Sequence, residues 1–245
     1  MQDPLNVFFI ASEATPFVKV GGLADVVGSL PSALRALPYP TDIRLALPYY
    51  NTYNLDDQEF APVTTIKINY QDRELIAKIY KVTKNIPTTY LISGDPIHAS
   101  ESVYSDDGYL DGRKFTFFSL AALELARRLN WQPDILHAHD WHTSPAVYKL
   151  HLTRDQDPFF QHTSSLLTVH NLPYQGHGAE RALAEFGFPP AENSLLPDWA
   201  QHLPLPLGLL SADKINTVSR GYAQEILTPA FGAGLEGFLQ TRAED

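Results

Sequence analysis

The residues best equipped for chemistry fall into two groups. The first is Lys19-Val20-Gly21-Gly22-Leu23-Ala24-Asp25-Val26-Val27, which follows the apolar run Val7-Phe8-Phe9-Ile10 and leads into Gly28-Ser29-Leu30-Pro31-Ser32-Ala33-Leu34. A strand that empties into a glycine pair and then a helix leaves backbone N–H groups unpaired at the helix N-terminus, with the positive end of the helix dipole behind them. Such a place attracts anions, phosphate above all. The glycines permit backbone angles closed to other residues and remove the Cβ atoms that block close approach, and Lys19 adds a mobile point charge. The spacing matches neither the P-loop nor the dinucleotide fingerprint. The plainer alternative is a glycine pair that merely closes a tight strand-to-helix turn.

The second group is His137-Ala138-His139-Asp140-Trp141-His142, followed downstream by Thr168-Val169-His170-Asn171. Three imidazoles within six residues invite a metal, and the run resembles the H-x-H-x-D-H pattern of zinc hydrolases. Here the aspartate comes one position too early. On a strand His137 and His139 share a face, so two ligands could converge, but a site needs further carboxylates that the sequence does not identify, and no metal ligands are assigned. The alternative for His137 and His142 is a pair of structural histidines bonded to backbone carbonyls at a strand end.

The elements that must position these groups read as alternating strands and helices. Leu5–Ala11 is a near-continuous apolar run, as a strand covered on both faces requires. A helix over about Leu23–Ala36 aligns Leu23, Val26, Val27, Leu30 and Leu34, and Ile43–Leu47 is the next strand, completing a βαβ unit. Val63–Asn69, Glu74–Val82 and Thr88–Ser93 form an antiparallel excursion. Asp106-Asp107-Gly108-Tyr109 is a turn before a helix at Phe115–Leu129. Ile135–His139 and Ser165–Val169 are short strands whose C-terminal ends carry the polar clusters, and in open parallel sheets that edge binds ligands. A helix at Gly178–Gly187 precedes an irregular, proline-rich region to Pro206. A strand at Lys214–Val218, a helix capped by Ser219 and a short helix at Ala233–Gln240 complete a doubly wound, mostly parallel Rossmann-like sheet, read as one domain over 1–245.

Composition narrows the function. With 28 acidic against 18 basic residues the formal charge is −10, and no basic run offsets it, which argues against nucleic acid and anionic membranes as partners. The absence of cysteine excludes disulfides and thiolate metal sites. No apolar run approaches the roughly 20 residues that span a bilayer, and the start at Gln2-Asp3-Pro4 lacks the pattern of a leader, so a cytoplasmic location is expected.

Four blocks in order carry a resemblance to a known family: Ser12-Glu13-Ala14-Thr15-Pro16 with Lys19–Val26, His137–His142, Thr168–Gly176, and Ala212–Ile226. The chain resembles the family 5 glycosyltransferases, the bacterial glycogen synthases and plant starch synthases, from Val7 almost to Asp245. It departs from their pattern at Pro206–Ser211 and in the Asp95–Tyr104 loop, both on the acceptor side. The resemblance implies the N-terminal half of a GT-B fold, with Lys19, Gly21 and Gly22 holding the diphosphate of ADP-glucose. It also implies that Asp140 and His170, as catalytic residues, line the pocket around the transferred glucose. Glu13, Asp25, Asn171, Tyr174 and Gln175 are the further substrate-binding residues it suggests. Sugar hydroxyls removed from water need partners, an unpaired one costing roughly 1–3 kcal/mol, and His170 with Asn171 offers directional donors and acceptors.

The implied activity is retaining transfer of glucose from ADP-glucose to the non-reducing end of an α-1,4-glucan, with no cofactor beyond that donor. The family's second Rossmann-like domain, which carries the cations that neutralise the leaving diphosphate, has no counterpart here. The implied partners are therefore ADP-glucose, an α-1,4-glucan and a C-terminal GT-B domain in cis or in trans, and the chain alone is expected to be inactive. The alternative is a non-catalytic glucan-binding module of the same fold, with Tyr49, Tyr50 and Tyr53 stacking on sugar faces.

Overall fold

The computed structural model describes residues 3–53, 59–83 and 87–244; Gln2 and Asp245, which bound the sequence reading, lie outside them. In chain order the elements are β1 (Leu5–Ile10), α1 (Gly22–Arg35), β2 (Thr41–Pro48), β3 (Phe60–Tyr70), β4 (Arg73–Val82), β5 (Thr88–Ser93), α2 (Asp95–His98) and α3 (Gly108–Arg128). There follow β6 (Ile135–His139), α4 (Asp140–Thr153), β7 (Ser164–Val169), α5 (Glu180–Glu185), α6 (Pro204–Ser211), β8 (Lys214–Thr217), α7 (Arg220–Glu225) and α8 (Glu236–Thr241).

The strands form one eight-stranded sheet in the order β3-β4-β5-β2-β1-β6-β7-β8. From β5 to β8 all neighbours are parallel, and β3 and β4 add an antiparallel edge. β5 is thus antiparallel to β4 but parallel to β2, so the third strand of the expected excursion belongs to the parallel set. The chain leaves β1 towards β2 on one side and returns to place β6 on the other, which makes the gap between β1 and β6 the switch point. Crevices form there because the connections diverge to either side. Phe8, Phe9, Ile10 and Ala11 are buried, as a central strand demands.

Three helices differ from the sequence reading for identifiable reasons. α3 begins at Gly108, not Phe115, because Asp107 is its N-cap, its carboxylate accepting the N–H groups of Tyr109 and Leu110. α6 occupies the stretch expected to be irregular; Pro204 at its start costs no helical bond, and its residues are buried nearly all round, so no amphipathic period betrays it. The last helix starts at Glu236 because Ala233 and Gly234 both have positive φ, at 52° and 82°. Tyr50 and Tyr53 are buried, and the Tyr50 hydroxyl donates to the Ser12 carbonyl at 2.8 Å. They pack edge to face in the core and offer no free surface for a sugar, which corrects the expectation of exposed stacking tyrosines. Among the described residues no helix is long and apolar enough to cross a membrane.

Candidate active site

The tips of β1, β6 and β7 surround a cavity of about 740 Å³ at the switch point. Its wall includes Glu13, Gly21 and Gly22 from the β1–α1 turn, Asp140, Trp141 and His142 from the start of α4, and His170, Asn171 and Tyr174 after β7. Of the residues singled out in the sequence, Lys19, Asp25 and Gln175 are absent from this lining.

The glycine turn is built differently from its sequence reading. Gly21 is the N-cap of α1 in extended conformation, with φ −134° and no side chain capping the helix, and neither Gly21 nor Gly22 has positive φ. What the pair supplies is room: a Cβ on Gly22 meets nothing within 4 Å, so the first turn of α1 faces open space. The turn is not free of anions, however. The buried Glu13 carboxylate accepts the N–H groups of Val20 and Gly21 through Oε2, and the Tyr104 hydroxyl at 3.0 Å through Oε1. The orphan donors left for a ligand are those of the first turn of α1 itself. Lys19 sits beside them with its ammonium on the Asp25 carboxylate at 2.7 Å, both side chains more than half exposed.

Asp140 is the hinge between two strand tips. It follows β6 directly, at φ 54°, a left-handed backbone that is uncommon outside glycine, asparagine and aspartate. That twist directs its carboxylate to the β7 tip, where Oδ1 accepts the N–H of His170 at 2.7 Å and of Asn171 at 3.3 Å. Burial pushes its carboxyl up to about 6, against the pull of those two N–H bonds.

His137, His139 and His170 form a column of rings. His137 and His139 share a face of β6, stacked at 4.4 Å between centroids, with Phe9 of β1 packed on both. His137 Nε2 meets the Thr168 hydroxyl at 2.7 Å, a side-chain partner where a backbone carbonyl was expected. His139 Nδ1 meets His170 Nε2 at 3.0 Å. His142 packs its ring among Tyr104, Phe115 and Trp141. Burial lowers all four: His137 and His170 to about 4, His142 to about 3, and His139 well below the usual imidazole value.

Tyr104, Asp111 and Lys114 were missed in the sequence. Lys114 is fully buried, donating to the Ser102 and Val103 carbonyls and to Asp111 at 2.8 Å. Asp111 in turn accepts from the backbone and hydroxyl of Ser105. Together they fasten the 102–105 loop and so hold Tyr104 over Glu13. The available signal was an acid and a lysine three apart on the apolar side of a helix.

Gln175 turns away from the cavity and donates to the Ala233 carbonyl at 3.2 Å. Tyr174 is largely exposed at the cavity mouth. Gly176, at φ 84°, lets Pro204 of α6 and Trp141 close on the loop, since a Cβ there meets Pro204 Cγ at 2.3 Å. In the fourth block, Asp213 binds Arg154 and Ser165, and the Tyr222 hydroxyl accepts the Leu172 N–H, so these residues brace β7, β8 and the β7 loop.

The fold matches the N-terminal half of a GT-B architecture. Over 99% of its length the chain superposes, with TM-score 0.87 and 27% identity, on 50% of a solved chain described as the catalytic domain of starch synthase IV from Arabidopsis thaliana bound to ADP and acarbose. The starch synthase catalytic domain family matches residues 6–241, and the chain belongs to that family. It is 38% identical over 244 residues to a glycogen synthase of Oceanobacillus iheyensis, covering 98% of this chain and 49% of that protein. A glycogen synthase of Moorella thermoacetica is 36% identical over 255 residues, covering 100% of this chain and 50% of that protein. The chain spans about half the length of the curated relatives it matches.

Proposed function

We propose that this chain is the N-terminal, acceptor-side half of a retaining glucosyltransferase that moves glucose from ADP-glucose to the non-reducing end of an α-1,4-glucan. The observation that carries the reading is a single cavity that joins the open first turn of α1 at Gly22 to Asp140 and His170. In this reading the α1 N-terminus and Gly21–Gly22 receive the diphosphate, and Lys19 swings from Asp25 to reach it. Asp140, His170 and Asn171 surround the hexose. Glu13 holds the turn in shape and Tyr174 offers an aromatic face at the mouth. Asp25 acts as the resting partner of Lys19, and Gln175 steadies the loop that carries Tyr174.

Departure of the nucleoside diphosphate concentrates negative charge on its oxygens, and fixed cations must meet that charge. Lys19, a cationic side chain beside the glycine turn, is already paired with Asp25. The reading therefore requires a second half to supply further cations, consistent with the chain's spanning half its relatives. The test is incorporation of glucose from ADP-glucose into glycogen by this chain alone and by this chain with the C-terminal half of a relative. No turnover alone and turnover in the mixture are expected; robust turnover by this chain alone overturns the two-half reading.

A further inference from the structure

The His139–His170 contact joins two nitrogens, so a single proton lies between them and one ring must donate to the other. The two possibilities have different consequences for the cavity. If His170 Nε2–H donates, His139 carries its proton on Nε2, a buried atom with no hydrogen-bond partner among the described residues. If His139 Nδ1–H donates, that same Nε2 is a bare lone pair. Orphaned buried N–H groups are the rarer defect in proteins, which favours the second arrangement. His139 is fully buried and its ring stacks on Phe9 and His137, which hold the ring plane where Nδ1 meets His170. Burial keeps both rings neutral near pH 7, which the one-proton contact requires.

We infer that His139 is a positioning residue that donates Nδ1–H to His170 Nε2 and thereby fixes His170 as the tautomer presenting Nδ1–H to the cavity. His170 is then a hydrogen-bond donor, suited to a hydroxyl oxygen and unable to accept a hydroxyl proton. The relevance to a sugar rests on the proposed function, but the tautomer itself does not.

The test uses the chain with 15N-labelled histidine and long-range 1H–15N correlation at neutral pH, His170 being assigned by the signals lost in His170→Gln. The expected wild-type spectrum shows His170 protonated at Nδ1 and bare at Nε2, and His139 likewise. In His139→Asn, whose amide can keep an N–H near the Nδ1 position, the His170 pattern persists. In His139→Leu it shifts towards the Nε2–H form that free imidazole side chains prefer. Finding His170 protonated at Nε2 in the wild type overturns the inference, as does an unchanged His170 tautomer in a folded His139→Leu protein. If the leucine variant does not fold, the wild-type and asparagine spectra decide. Because no nucleotide sugar is present, failure here leaves the proposed function standing, and loss of turnover elsewhere leaves the tautomer standing.

Discussion

The carboxylate of Asp140 accepts the backbone N–H of His170 at 2.7 Å, so the group at the end of one strand sets the position of the group at the end of the next. Asp140→Asn keeps an acceptor for that N–H, suits the positive φ, and removes a charge whose carboxyl is pushed up to about 6 by burial. A raised folded value means that the folded protein binds the proton more tightly than the unfolded chain, so this group's contribution falls as pH rises from about 4 to 6. At pH 7 Asp140→Asn is expected to match or exceed the wild type in urea denaturation, while Asp140→Ala, which loses the acceptor and strains the backbone, loses about 2–4 kcal/mol. In the proposed two-half enzyme both variants are expected to lose incorporation of glucose from ADP-glucose into glycogen.

The four histidines of the site give the opposite pH dependence. His137, His139, His142 and His170 are all lowered by burial, so below the unfolded imidazole value the unfolded chain takes up protons that the folded one refuses. Their contribution is full above about pH 7 and is lost as pH falls towards 4. The four lowered histidines outweigh the one raised carboxyl of Asp140, so these groups take up protons on unfolding near pH 5. Denaturation midpoints measured from pH 7.5 to 4.5 are expected to fall steadily; a midpoint that rises on acidification contradicts this balance.

Gly22→Ala separates folding from binding. Its Cβ meets no protein atom and alanine favours the helix by roughly 0.5–1 kcal/mol, so the melting temperature is expected to hold or rise. Calorimetric titration with ADP is expected to show affinity reduced at least about tenfold, because the methyl occupies the approach to the first turn of α1.

Lys19→Ala addresses the cation at the same place. Its pair with Asp25 is exposed, so stability changes by less than about 1 kcal/mol. ADP affinity is expected to fall, and to lose part of its dependence on salt concentration.

Tyr104→Phe removes one hydroxyl that donates to Glu13 Oε1 and meets Ser12 Oγ at 2.8 Å. A loss of about 1–2 kcal/mol in urea denaturation is expected from two buried partners left short. ADP affinity is expected to weaken with it, since Glu13 holds the backbone of Val20 and Gly21.

Local pattern made much of this architecture readable. The apolar run of β1, the glycine turn and the polar ends of β6 and β7 all announce themselves over a few residues, and the structure gathers Glu13, Gly21, Gly22, Asp140, His170, Asn171 and Tyr174 around one cavity. What escaped depends on distance or on missing periodicity. Tyr104 reaches Glu13 across 91 positions, and no local spacing encodes that. α6 is buried all round, so its helix has no polar face to reveal it. Tyrosine is at home on either side of a surface, so local sequence does not tell that Tyr50 and Tyr53 are buried, and only the packing against Ser12 and one another decides.

β1, β6 and β7 lie side by side, and the residues that bound the cavity issue from their ends. Neighbouring strands are held about 4.8 Å apart by the backbone ladder, so the lateral spacing of Glu13, Asp140 and His170 is ruled by peptide geometry and not by side-chain reach. The loops bearing Tyr104 and Tyr174 are free of that ladder, the compliant margins of an otherwise stiff template.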